Sequence, residues 1–146
     1  MKDVAARSRE LFHSGYFCAE SVLMAVAEHQ GIESPLIPRI ATGFCGGMSR
    51  TSGLCGALTG GIMGLNIVFG RDSAEGSRDR NYAVVAQYIK DFEKQFGSVH
   101  CSDLLGCDLS TAEGERTFKD KNLLAFCARI TEEATSLVMR LIEKGT

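Results

Sequence analysis

Phe118-Lys-Asp-Lys-Asn-Leu-Leu-Ala-Phe-Cys-Ala-Arg-Ile-Thr-Glu-Glu-Ala-Thr-Ser-Leu-Val-Met-Arg-Leu-Ile-Glu143 carries the cleanest periodicity in the chain. Leu123, Cys127, Ile130, Ala134, Leu137 and Leu141 recur by fours and threes, which makes one apolar seam along a single helix. The same spacing governs the rest of the chain, and no run alternates apolar and polar residues as a half-buried strand would. Working back, a helix of about Arg80 to Phe96 has Tyr82, Val85, Ile89, Phe92 and Phe96 at helical steps, and Gly97 stops it. A helix from near Leu54 to near Gly70 precedes it across the polar loop Arg71 to Arg80. Earlier still, Val22, Leu23, Ala25 and Val26 form the inner face of a helix over about Cys18 to Gln30, closed by Gly31. A first helix over about Val4 to Ser14 ends at Gly15. Pro35 and Pro38 set up a short helix through Ile40, followed by a glycine-rich turn at Gly43 to Gly47. Another short turn covers Ser102 to Leu105, and a linker with Asp108, Ser110 and Thr111 leads into the last helix. The expected fold is all-α: a compact single-domain bundle over residues 1–146, with about five main helices and short connecting helices.

Composition bounds the function. At 146 residues, with 45% hydrophobic and 23% charged residues, the chain has an ordinary globular balance and enough length for one core. A net charge of −2, with no basic run longer than a pair, gives no footprint for nucleic acid or an anionic membrane. The segment between Arg50 and Arg71 is uncharged, but its glycines and polar residues make it a buried helix rather than a membrane span. The stretch Met1 to Glu10 is charged and lacks the apolar core of a signal peptide, so a cytoplasmic location is expected. Structural disulfides are rare there.

The chemistry then rests on six cysteines. Cys18 opens a predicted helix, where free N–H groups favour a thiolate, although Glu20 in the same turn opposes one. Cys55 lies in Gly53-Leu-Cys-Gly-Ala-Leu-Thr-Gly-Gly61. There Gly56, Gly60 and Gly64 repeat every four residues, at about 1 kcal/mol per glycine in helix propensity. Such a ridge signals close helix–helix packing, including across a homodimer interface, or space cleared for a cluster or disulfide beside Cys55. Cys101 and Cys107 bracket a short irregular region. His100 beside Cys101 is a weak signal because adjacent helical residues do not face each other, and His13 and His29 have surface readings only. Periodicity alone makes Cys127 a core packing residue. No C-x-x-C spacing, phosphate loop or nucleophile elbow is present.

Cys18-Ala-Glu-Ser-Val-Leu23, Ala41-Thr-Gly-Phe-Cys-Gly-Gly-Met48, Gly53-x-Cys-Gly-Ala-x-x-Gly60, Cys101-Ser-Asp-Leu-Leu105 and Cys127 together resemble the C-GCAxxG-C-C family. Redox activity is ascribed to that family, which is also similar to an iron–sulfur domain of split-Soret cytochromes. The resemblance covers nearly the whole chain. It implies that Cys18, Cys55, Cys101 and Cys127 are the redox or metal-ligating residues, with Gly53, Gly56 and Gly60 as the cofactor-side glycines. Cys45, where the family pattern more often has glycine, and Cys107 are additional, each an added ligand, a resolving thiol or without a role in the site. The implied function is thiol–disulfide exchange or electron transfer through an iron–sulfur cluster, with a redox protein or small thiol as partner. A zinc site of the same four thiolates, or inert core cysteines in an interaction protein, are the alternatives.

Overall fold

A computed structural model describes residues 3–145; of the readings above, only those of Met1, Lys2 and Thr146 fall outside it. The described residues form helices without strands. They are α1 (Val4–His13), α2 (Cys18–His29), a 3-10 segment (Arg39–Phe44), a short left-handed turn α3 (Cys45–Arg50), α4 (Gly56–Phe69), α5 (Asp79–Phe96), α6 (Cys101–Leu105), α7 (Ala112–Asp120) and α8 (Leu123–Gly145). The all-α expectation holds, and α1, α2, α4, α5 and α8 are the five main helices. α8 is the hub and packs against the other four. No described helix is long and apolar enough to cross a membrane.

Local chemistry sets the ends. Asp3 caps α1 by accepting N–H bonds from Ala5 (3.0 Å) and Ala6 (3.3 Å). Glu20 reaches back from the first turn of α2 to the Phe17 N–H at 3.2 Å, the return half of a capping box. The expected final helix is two helices. Thr111 caps α7 by accepting from the Gly114 N–H at 2.9 Å, and Asn122 at φ +51° breaks the chain before α8. Asparagine tolerates this left-handed conformation better than most residues, so a polar residue ends a helix that the apolar pattern alone would extend. The short helix expected near Pro38 is the 3-10 segment and runs on to Phe44.

The core joins Val22 and Val26 of α2, Leu58 and Leu65 of α4, Tyr88 and Phe92 of α5, and Ile130, Ala134 and Val138 of α8. On α5 the pattern holds at Phe92, Val85 and Phe96, which lie in or against the core, and fails at its other two positions. Tyr82 is 62% exposed and Ile89 lies on the outside, whereas Tyr88 is fully buried. Tyr88 is inward because its hydroxyl donates to the Ala57 carbonyl at 2.9 Å and its ring fills the hollow that Gly61 leaves. Burial pushes the Tyr88 phenol well above its ordinary pKa, so it remains a donor.

The glycine ridge of α4 is used within the chain. A Cβ on Gly60 would stand 2.6 Å from the Ala19 carbonyl oxygen, and one on Gly64 would stand 3.2 Å from the Val26 side chain. Both face α2, so the ridge is not a free surface for a second copy and supplies no argument for a homodimer.

Candidate functional site

A cavity of about 960 Å³ opens at the end of the bundle where α2, α4 and α8 begin. Cys18, Cys45, Cys55, Cys101 and Cys127 all line it. Cys18 is the first residue of α2, Cys55 immediately precedes α4, Cys101 opens α6, and Cys127 lies in the second turn of α8. The fold thus gathers the four expected cysteines from four separate elements. Phe17, Leu105, Phe118 and Leu124 add apolar wall, with Arg116 and Lys119 and the ion pair of Arg50 and Glu115 (2.9 Å) at the exposed rim.

The segment between Cys45 and Cys55 is built for this placement. Gly46, Gly47, Met48, Ser49 and Arg50 all sit at φ between +61° and +70°. Outside glycine, that geometry costs roughly 1–2 kcal/mol per residue. It is held by neighbours. Ser49 Oγ donates to the Gly43 carbonyl at 2.8 Å, and Gly53 N–H donates to the Gly47 carbonyl at 2.9 Å. Two backbone bonds then tie the loop to the far segment: Cys55 N–H to the Val99 carbonyl at 2.8 Å, and Cys101 N–H to the Gly53 carbonyl at 2.9 Å. Asp108 closes the arrangement by accepting from the hydroxyls of Ser110 and Ser52, which hold its carboxyl below the usual range.

Two glycines shape the wall. A Cβ on Gly47 would lie 2.5 Å from Cys101 Cβ, so only glycine lets Cys101 approach. A Cβ on Gly56 would collide with Cys18 Sγ. Gly53 positions Cys101 through its carbonyl, and Gly60 packs on Ala19 away from the cavity, so only Gly56 of the three expected cofactor-side glycines lines it.

All six thiols are free and partly buried. Burial is the leading cause that pushes Cys55 and Cys101 up to about 11 and Cys127 up to about 12. For Cys55 the N–H groups of Ala57 and Leu58 act the other way, and burial outweighs them. Cys55, then Cys101 and Cys107, raise Cys127 further through charge, although Cys107 does not line the cavity. Cys45 is raised most, first by its contact with the Cys18 side chain and then by burial. Cys127 therefore faces the site rather than serving only as packing. His13, His29 and His100 are exposed and not part of the cavity wall.

Sequence reasoning did not find the partnership of Cys45 with Cys18, nor the position of Glu20. Instead of standing against Cys18, the Glu20 carboxylate turns to the Phe17 N–H and the Thr42 hydroxyl. The capping spacing from Phe17 to Glu20 was the available signal for that turn.

Zinc in a four-thiolate site needs its sulfurs about 2.3 Å from one centre. Among the described residues no three Cys, His, Asp or Glu side chains are arranged to hold a single ion. An iron–sulfur cluster takes its thiolates on different irons, so its ligands ring a volume rather than meet at a point. Four thiols around one cavity, at the positive ends of three long helices, suit the charge and donor chemistry of such a group.

An uncharacterised protein of Archaeoglobus fulgidus is 31% identical over 120 residues, covering 75% of this chain and 80% of that one. No solved structure matches the chain significantly. The family model described as "Putative redox-active protein (C_GCAxxG_C_C)" matches residues 16–141, a span containing the cavity cysteines and the left-handed turn, and the chain belongs to that family.

Proposed function

We propose that the protein is an electron carrier in which Cys18, Cys55, Cys101 and Cys127 hold an iron–sulfur cluster inside the cavity. The observation that carries this reading is the wall itself: thiols from four elements face one apolar cavity, and burial keeps three of them protonated at neutral pH. A bound cation would deprotonate these thiols outright. The N–H groups opening α2, α4 and α8 would offset the negative charge gathered there. A bound cluster would supply one-electron redox chemistry. The chain's own part is to fix the sulfurs, exclude water with Phe17, Phe118 and Leu124, and present a basic rim through Arg116 and Lys119. That rim suits an acidic redox partner protein.

Anaerobic purification followed by visible absorption, iron and acid-labile sulfide analysis tests the reading. A brown protein containing iron and sulfide is expected. A colourless protein that takes up neither, even after reconstitution with iron and sulfide, would overturn it.

A further inference from the structure

Cys45 is the cavity thiol outside the family's four cysteines, and it sits against one of them. Its Sγ lies 3.8 Å from Glu20 Oε1 and 3.9 Å from the Ala41 carbonyl. The same Glu20 Oε1 accepts the Phe17 N–H, one residue before Cys18, and Oε2 accepts the Thr42 hydroxyl at 2.9 Å. One carboxylate therefore joins the start of α2 to the segment that delivers Cys45. Gly56 completes the approach. A Cβ there would strike Cys18 Sγ and stand 3.0 Å from the Phe44 carbonyl oxygen. The Cys18 thiol and the Phe44–Cys45 peptide thus share the hollow left by one missing side chain.

We propose that Cys18 and Cys45 form a redox dithiol that reduces a low-molecular-weight disulfide, with Cys45 as the resolving thiol. The Cys18 sulfur attacks one sulfur of the substrate, the substrate S–S bond breaks, and the first thiolate leaves with the proton Cys18 gave up. Cys18 now carries a mixed disulfide. The Cys45 sulfur then attacks Cys18 Sγ. The Cys18–Cys45 bond forms, the mixed-disulfide bond breaks, and the second thiolate departs with the proton that Cys45 gave up. Two electrons and two protons have moved from the dithiol to the substrate, giving two thiols and one protein disulfide. A dithiol donor running these steps in reverse restores the pair.

This activity goes beyond the cluster reading and does not depend on it. The two share Cys18, which cannot be bound to iron and to Cys45 at once, so they are alternative states of that residue. The geometry of the first step suits a small disulfide, because Cys18 lies on the cavity wall rather than on the outer surface.

The test uses the full chain, reduced anaerobically and exposed to glutathione disulfide, with thiol counting and non-reducing peptide mapping. The wild-type chain is expected to lose two thiols and yield a peptide linked through Cys18 and Cys45. Cys45→Ser should stop at a mixed disulfide on Cys18. An internal bond between another pair, such as Cys101 and Cys107, would overturn the proposal. So would a wild-type mixed disulfide that persists, a complete lack of thiol loss, or closure by Cys45→Ser at the wild-type rate. Iron content of Cys45→Ser after reconstitution reports on the cluster reading separately.

Discussion

Two glycine-rich segments meet at the thiols, and they use glycine for different physical reasons. In α4 the glycines have ordinary helical backbone and are required by what lies opposite: Ala19 at Gly60, Tyr88 at Gly61, and Cys18 at Gly56. In the turn Gly46–Arg50 the backbone itself is left-handed, and glycine is favoured by φ. Gly46 has only the flexible Arg50 side chain near its missing Cβ, at 3.4 Å, so its constraint is almost purely conformational. Gly47 is under both constraints, because it is left-handed and closely faces Cys101. The first segment sets how closely elements approach, and the second sets the direction in which the chain leaves Cys45 for Cys55.

Both segments keep thiols buried, so alkaline pH should produce the largest effect on the metal-free chain. The folded-state values of Cys55, Cys101 and Cys127 lie above the ordinary 9.0. The folded chain then holds more protons than the unfolded one between 9 and about 12. Stability from this source is full below pH 9 and is lost as pH rises through that window, at up to about 1.4 kcal/mol per unit for each thiol. Urea unfolding at pH 8, 9 and 10 measures it, and an unchanged midpoint would mean that the thiols are not buried as described.

Alanine in each segment separates the two uses of glycine. Gly61→Ala should destabilise by about 3 kcal/mol, the upper end for overpacking, because the buried and hydrogen-bonded Tyr88 cannot withdraw. This should occur although alanine favours a helix by about 1 kcal/mol. Gly46→Ala should cost about 1–2 kcal/mol through φ alone, and Gly46→Asn should cost distinctly less. Equal losses for alanine and asparagine at Gly46 would show that packing, not backbone conformation, sets that position. The smallest effect expected is Tyr88→Phe, at about 1 kcal/mol for the bond to the Ala57 carbonyl. Chemical denaturation reads all of these.

The same contrast explains what could be read before the structure. The ridge Gly56, Gly60, Gly64 announces itself by spacing, as do the inner faces of α2 and α8, because period is a property of sequence. The convergence of Cys18, Cys55, Cys101 and Cys127 was legible only through resemblance to the family; periodicity gave Cys127 to the core. The left-handed turn was not legible, since Met48, Ser49 and Arg50 carry no left-handed signature and are held there by bonds to residues elsewhere. Tyr88 was missed because its place depends on Gly61 and Ala57, more than twenty residues away. Asn122 shows the converse, a local polar residue overriding a continuous apolar pattern.

Iron binding across the six single Cys→Ser variants, reconstituted anaerobically and quantified against wild type, tests the central claim most directly. The cavity geometry predicts that Cys18, Cys55, Cys101 and Cys127 variants each lose most of their iron and visible absorption, while Cys45 and Cys107 variants retain theirs. Retention of iron by any of the first four, or its loss from the Cys45 or Cys107 variant, would contradict the four-thiol assignment.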